Sequence, residues 1–170
     1  VGAQIVAIRG IALSGKVEGK FRMVALEGEG ALDYAETQNL YVSHMYNGKI
    51  VVSDTEEKVR NALGNIPENI CIKPVMLRTP FHTPYAIDLG INFGKELMKY
   101  MSTNSRVTSR LQDGFRKCKV IADANGQVLE PENVIGYLTA HVSGSVNLGM
   151  GGRVIKEMGI PAIAVGVNKK

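Results

Sequence analysis

Short apolar runs and helical spacings alternate along the chain. Residues 4–8 (QIVAI) are an apolar run stopped by Gly10, and that brevity predicts a buried strand. Residues 21–26 predict a second strand, Gly28 and Gly30 break it, and residues 31–38 (ALDYAETQ) read as a helix. Two β-rich runs, 41–45 and 49–53, flank Asn47-Gly48, a pair that tolerates positive φ and so predicts a tight hairpin. Ser53 or Asp54 is placed to cap a helix with Glu56 and Glu57 in its first turn, running through Val59, Ala62 and Leu63 to Gly64. Residues 70–77 read as a strand, and Pro74 assigns it to a sheet edge or a bulge. Over residues 1–77 this order of strand, connection, hairpin, helix and strand suits a small split β-α-β unit of ferredoxin-like type.

The pattern changes after Leu77. Residues 78–85 (RTPFHTPY) place Pro80, His82 and Pro84 between two regular segments. Apolar residues at 87, 91, 97, 98 and 101, with Gly94 in register, predict a helix over 86–101. Residues 102–113 are polar and basic and read as a loop or a frayed helix. A strand is predicted over 119–124, ending at Asn125-Gly126. Glu130-Pro131-Glu132 then opens a helix through Val134, Ile135 and Leu138, since proline fits a first helical position and acids suit that end. A glycine-rich stretch, 144–152, leads into a helix over 154–158 that Gly159 stops, and 161–167 (PAIAVGV) reads as a closing buried strand. Helices alternating with strands make this half α/β.

Composition narrows the classes. The chain has 170 residues, 45% hydrophobic and 21% charged, which suits one compact domain or two small ones and argues against a disordered or fibrous protein. No apolar run approaches the ~18–20 residues of a membrane helix. Twenty Lys+Arg against sixteen Asp+Glu give a net charge of +4. Arg106, Arg110, Arg116, Lys117 and Lys119 form the densest basic patch and Lys169 and Lys170 end the sequence, a balance suited to phosphates or an acidic partner. The strands lack the paired aromatics on which bases stack, which argues against nucleic acid. Cys71 and Cys118 have neither zinc nor disulfide spacing, so a reducing cytoplasm is expected. The first residue is Val1 rather than Met, and the expectation is that further residues precede it.

Candidate chemistry is sparse. No G-x-S-x-G elbow, Walker A loop or H-E-x-x-H sequence occurs. Gly149-Met150-Gly151-Gly152 lacks dinucleotide-binding spacing and reads as a tight helix entry. His44 beside the hairpin and His141 at a helix end have no carboxylate at ligand spacing and read as structural or surface residues, and no metal site is expected. His82 differs. Prolines on both sides fix its backbone and Phe81 supplies an apolar wall, so the imidazole is held in one direction, as a general base requires.

Residues 41–53 (YVSHMYNGKIVVS), 74–84 (PVMLRTPFHTP) and 119–146 are similar, in order and spacing, to malonyl-CoA:acyl-carrier-protein acyltransferases. That family's N-x-P-G-Q-x-V-I-S-G hairpin, proline-flanked FH, N-x-T-G strand end, D-P-E helix and S-P-V-x-W element read here NGKIVVS, PFHTP, IADANGQ, EPENVIGYL and GSVNL. The resemblance covers roughly residues 1–8 and 41–167. It implies an α/β chain made of a ferredoxin-like small subdomain (1–77) and the C-terminal part of an α/β hydrolase-like large subdomain (78–170). His82 is then the catalytic histidine, Asn147 the residue whose backbone carbonyl orients it, and Phe81 a companion of malonyl selectivity.

The activity implied is transfer of a malonyl-type group from a CoA thioester to the pantetheine thiol of an acyl carrier protein, as in fatty-acid and polyketide synthesis, with no covalently bound cofactor. The family's serine on a G-H-S-x-G elbow, its carboxylate-binding arginine and its N-terminal G-Q-G-S-Q have no counterpart in the stretches that carry the resemblance, and its tryptophan is Leu148. The resemblance therefore implies a complementary N-terminal half as partner. The alternative is a non-catalytic subunit that docks a carrier protein or another subunit.

Overall fold

A computed structural model describes residues 2–15, 17–46, 48–77 and 79–159. The first element corrects the sequence reading. Gly2–Leu13 is a helix, α1, and not a strand. Its apolar run continues past Gly10, and Ile5, Ile8 and Ala12 lie at helical spacing on the face that packs against helix α4 (Ile87–Thr103). A short apolar run alone does not separate strand from helix; here packing decides.

Strand β1 (Phe21–Glu27), helix α2 (Ala31–Thr37), the hairpin β2 (Val42–Tyr46) and β3 (Lys49–Thr55), helix α3 (Glu56–Leu63) and β4 (Cys71–Pro74) follow. The four strands are antiparallel in the order β4-β1-β3-β2, the ferredoxin-like arrangement. The hairpin turns at Gly48, whose φ of 70° is the left-handed conformation that the Asn-Gly pair predicts. Alternation along β1 and β3 puts Val24, Leu26, Ile50 and Val52 on the face covered by α2 and α3, and Met23, Ala25 and Val51 on the other. Pairing of Val24 with Val52 and Leu26 with Ile50 locks this register, because a one-residue slip would expose the whole set. Pro74 does lie on an edge strand.

The cap of α3 is Thr55, whose hydroxyl accepts from the Lys58 N–H, rather than Ser53 or Asp54. Asp54 is fully buried and has a different task. Its carboxylate accepts from the Thr55 N–H at 2.8 Å, from Lys58 Nζ at 3.0 Å and from the Tyr85 hydroxyl at 2.9 Å. A buried charge is tolerated only when paired and hydrogen-bonded in this way. Tyr85 also packs against Phe21 and Tyr41, with ring centroids 4.9 and 5.3 Å away, so the sheet is fastened to the segment that precedes α4.

Beyond that segment come α4, α5 (Ser105–Lys117), β5 (Val120–Ile121), β6 (Val128–Leu129), α6 (Val134–His141), β7 (Val146–Asn147) and α7 (Leu148–Glu157). Of the two readings of the polar stretch, loop or frayed helix, the helix holds: it forms α5, whose Val107, Leu111 and Phe115 make a half-buried stripe at i, i+4 and i+8. Helix α7 starts inside the glycine-rich stretch because Asn147 Oδ1 accepts from the Met150 N–H and caps it. Strand β7 pairs in parallel with β2 and widens the sheet to five strands. The strand predicted over 161–167 lies outside the described residues, as do Lys169 and Lys170.

Helices α4 and α6 approach closely because Gly90 and Gly94 face Thr139. A Cβ at Gly90 would sit 2.7 Å from the Thr139 carbonyl oxygen, and one at Gly94 would collide with the Thr139 side chain. That side chain cannot swing aside cheaply, since its Oγ1 donates to the Ile135 carbonyl at 2.8 Å. Gly94→Ala is therefore expected to lower stability by about 1–3 kcal/mol in urea unfolding. Adding Thr139→Ala should recover most of that loss, but should not rescue Gly90→Ala, where the obstacle is backbone. Equal rescue of both glycine variants would refute this account of the contact.

Candidate active site

The segment between β4 and α4 carries His82 in a left-handed backbone conformation, φ 61°. Histidine enters this region more readily than most residues, yet it still needs outside support. The His82 N–H donates to the Val142 carbonyl at 2.8 Å, just beyond α6. Thr83 Oγ1 donates to the Pro80 carbonyl, and Pro84 opens a short 3-10 turn that runs into α4. These bonds hold the loop in place, and His82 is buried, with 9% of its residue surface exposed.

His82 Nδ1 lies 3.1 Å from the Gly144 carbonyl oxygen. A carbonyl only accepts, so Nδ1 carries the proton and Nε2 keeps its lone pair. The resemblance implies an orienting carbonyl at Asn147; the carbonyl that meets Nδ1 here is that of Gly144, three positions earlier. Asn147 instead donates its N–H to the Asp123 carbonyl at 3.0 Å, pairs with Met45 across β2 and β7, and caps α7. The chain has already turned into β7 by that point.

Folding brings the other two histidines, which the sequence reads as structural or surface residues, up against His82. The ring centroid of His44, on β2, is 4.7 Å from that of His82, and that of His141, at the end of α6, is 4.8 Å away. Both contacts are edge-on, with interplanar angles of 74° and 78°. Tyr46 stacks on His44. His141 Nε2 meets Asp123 Oδ2 at 3.1 Å, and the Tyr137 hydroxyl donates to Asp123 Oδ1. Tyr137 and His141 are one helical turn apart, which places both on the face of α6 that meets the turn after β5. Asp123 is the residue that sequence spacing missed, because it lies 18 positions before His141, in the turn after β5 and not at helical spacing.

Burial, and then the like-charging neighbours His44 and His141, push His82 down to about 4, against an opposing pull from the Gly144 carbonyl. His44 is lowered as well, by burial first and by His141 next. Burial raises the Asp123 carboxyl, but the hydrogen bonds from Tyr137 and His141 outweigh it and hold the group below its ordinary value. Tyr137 is pushed up to about 12 by burial and by Asp123. The cluster at neutral pH is thus an unprotonated His82 beside an anionic Asp123. Among the described residues no group of three His, Cys, Asp or Glu side chains is arranged to hold a metal ion.

Beside His44 the open face of the sheet forms a trough of about 870 Å³ over Met23, Ala25, Val51 and Val75. At one end Glu27 is clamped by Lys49 at 2.8 Å and by Lys73, and these two lysines hold its carboxyl down at about 2.

A histidine whose folded pKa lies below its unfolded value binds fewer protons folded than unfolded in the interval between the two. Stability is therefore full above about 6.5 and falls as the pH drops from there toward 4. His82→Asn, which keeps a side chain tolerant of left-handed backbone, should flatten that part of the pH dependence in urea unfolding, His44 supplying the remainder. An unchanged slope would show that His82 is not the group held neutral.

No protein-family profile matches this sequence, and no curated protein matches it. Solved structures do. MCAT from Mycobacterium tuberculosis superposes with a TM-score of 0.74 at 12% identity, over 92% of this chain and 50% of that one. The malonyl CoA-acyl carrier protein transacylase from Clostridium perfringens gives 0.71 at 20% identity, over 94% and 50%. The acyltransferase domain of an iterative polyketide synthase in enediyne biosynthesis gives 0.67 at 16% identity, over 89% and 38%. The chain spans about half the length of the first two and less of the polyketide synthase acyltransferase domain. It has the α/β fold of that part of a malonyl-CoA:acyl-carrier-protein transacylase.

Proposed function

We propose that this chain supplies the base of an acyl-transfer site, moving a malonyl-type group from CoA to the pantetheine thiol of a carrier protein. The observation that carries the reading is the Nδ1 contact of His82 with the Gly144 carbonyl, which leaves Nε2 free to accept a proton. The nucleophile in this reading is a serine on a G-H-S-x-G elbow contributed by a complementary half of the fold. Nε2 of His82 takes the serine proton as Oγ attacks the thioester carbonyl, and gives it to the departing CoA thiolate. An acyl-serine ester remains. The carrier thiol then loses its proton to Nε2 and attacks that ester, and the serine leaves with the proton.

A base held near 4 is weak, but it is fully unprotonated at working pH, and the developing imidazolium forms close to the Asp123 carboxylate. The trough beside His44 gives the acyl and thioester atoms an apolar wall. The exposed basic residues of α5, Arg106 and Arg110 among them, suit CoA phosphates or an acidic carrier. That same patch favours a second reading, a docking subunit without chemistry of its own.

The test combines the chain with a polypeptide carrying the G-H-S-x-G half, malonyl-CoA and carrier protein, and follows malonyl-carrier formation by mass. His82→Asn should lower transfer roughly 10²–10⁴-fold. An undiminished rate in that variant would remove His82 from the chemistry. Carrier binding with no transfer by the wild-type pair would establish the docking reading in its place.

A further inference from the structure

A catalytic acid ordinarily holds the base itself, as in the Ser-His-Asp arrangement. Here His82 rests on a neutral carbonyl, and the nearby carboxylate grips a different ring. Asp123 is held from several directions: its side chain by His141 Nε2 and the Tyr137 hydroxyl, its N–H by the same hydroxyl at 3.1 Å, and its carbonyl by the Asn147 N–H. It therefore joins the turn after β5 to α6 and to β7 as a fixed point. His141 is the only one of these groups that also touches His82, ring against ring.

We propose that Asp123 and His141 are positioning residues for His82. Asp123 anchors the His141 ring through Nε2, and that anchored ring, packed edge-on against His82 together with His44, keeps Nδ1 of His82 on the Gly144 carbonyl. The hydrogen bond to the Gly144 carbonyl, even with the His141 carbonyl also facing the ring, leaves an imidazole free to pivot or to flip its ring nitrogens. Two rings packed nearly at right angles to it, with centroids 4.7 and 4.8 Å away, remove that freedom. The groups that face His82 are His44 from β2, His141 from α6, the carbonyls of Gly144 and His141, and, behind His141, Asp123. Of these only Asp123 is an anion. Its charge favours a proton arriving on His82, and the pair thereby serves both the orientation of the base and the imidazolium that forms on it.

The catalytic part of this inference rests on His82 being the base; the positioning part does not. The experiment therefore reads the rings directly. The ¹⁵N-labelled chain is titrated from pH 3 to 9 (on the order of the interval histidine and carboxylate pKa values span), with long-range ¹H–¹⁵N spectra assigning the tautomer and midpoint of each histidine. The wild-type chain should show His82 as a single Nδ1–H tautomer. In Asp123→Asn and in His141→Gln the tautomers of His82 should become mixed, and its midpoint should fall further in Asp123→Asn, by on the order of one pH unit or less.

An unchanged tautomer and midpoint of His82 in both variants, with folded amide spectra, would overturn the proposal. If Asp123→Asn does not fold, His141→Gln alone decides. If neither folds, the pair is a structural brace and the positioning role is refuted. Loss of acyl transfer from the reconstituted wild-type pair would remove the function while leaving these spectra, and this inference about the rings, standing.

Discussion

The left-handed backbone at His82 is the constraint on which the site depends. An L-residue does not rest there without compensation, and the neighbouring contacts supply it. The His82 N–H is taken by the Val142 carbonyl and its ring by the Gly144 carbonyl, both from the segment between α6 and β7. Three residues on, Tyr85 reaches back to Asp54 inside the sheet. The loop is thus tied at one end to the helical layer and at the other to the sheet. A shift of either layer by an ångström would change the direction of the imidazole.

The energetics of these ties differ. The helical layer closes by steric fit, with glycines at 90 and 94 admitting Thr139 and a core of Leu89, Phe93, Leu97 and Val142 excluding water. The sheet closes by register and by the apolar cluster under α2 and α3. Between them, beside the packing of Tyr85 on Phe21 and Tyr41, run polar contacts: Asp54 with Tyr85, Ser145 Oγ on the Val42 carbonyl at 2.6 Å, and the short β2–β7 pairing. Polar contacts are directional, so they define position more sharply than the apolar layers do. The histidines collect along this polar seam.

Much of this was legible in the sequence. The hairpin around Asn47-Gly48, the helix over 56–63 and the edge strand marked by Pro74 follow from local turn, cap and proline chemistry, which acts within a few residues. His82 stood out for the same local reason, its flanking prolines. What was not legible depends on distance. The helical state of α1 comes from its packing on α4, and the pairing of β7 with β2 joins residues about a hundred positions apart. His44 and His141 read as unremarkable because each carries meaning only beside His82. Asp123 sits in a turn where acids are common, and nothing local ties it to α6.

Strand β4 has one further consequence. It is four residues long, every one of them exposed, and Pro74 at its end removes a backbone donor while Lys73 places a charge beside it. An edge built this way offers little to a foreign strand, since the ladder would lose a hydrogen bond and bring a lysine against the newcomer. On this side the sheet is closed to growth. A chain that associates here is steered toward the broad surface of the sheet rather than its edge, which guards the molecule against edge-to-edge aggregation.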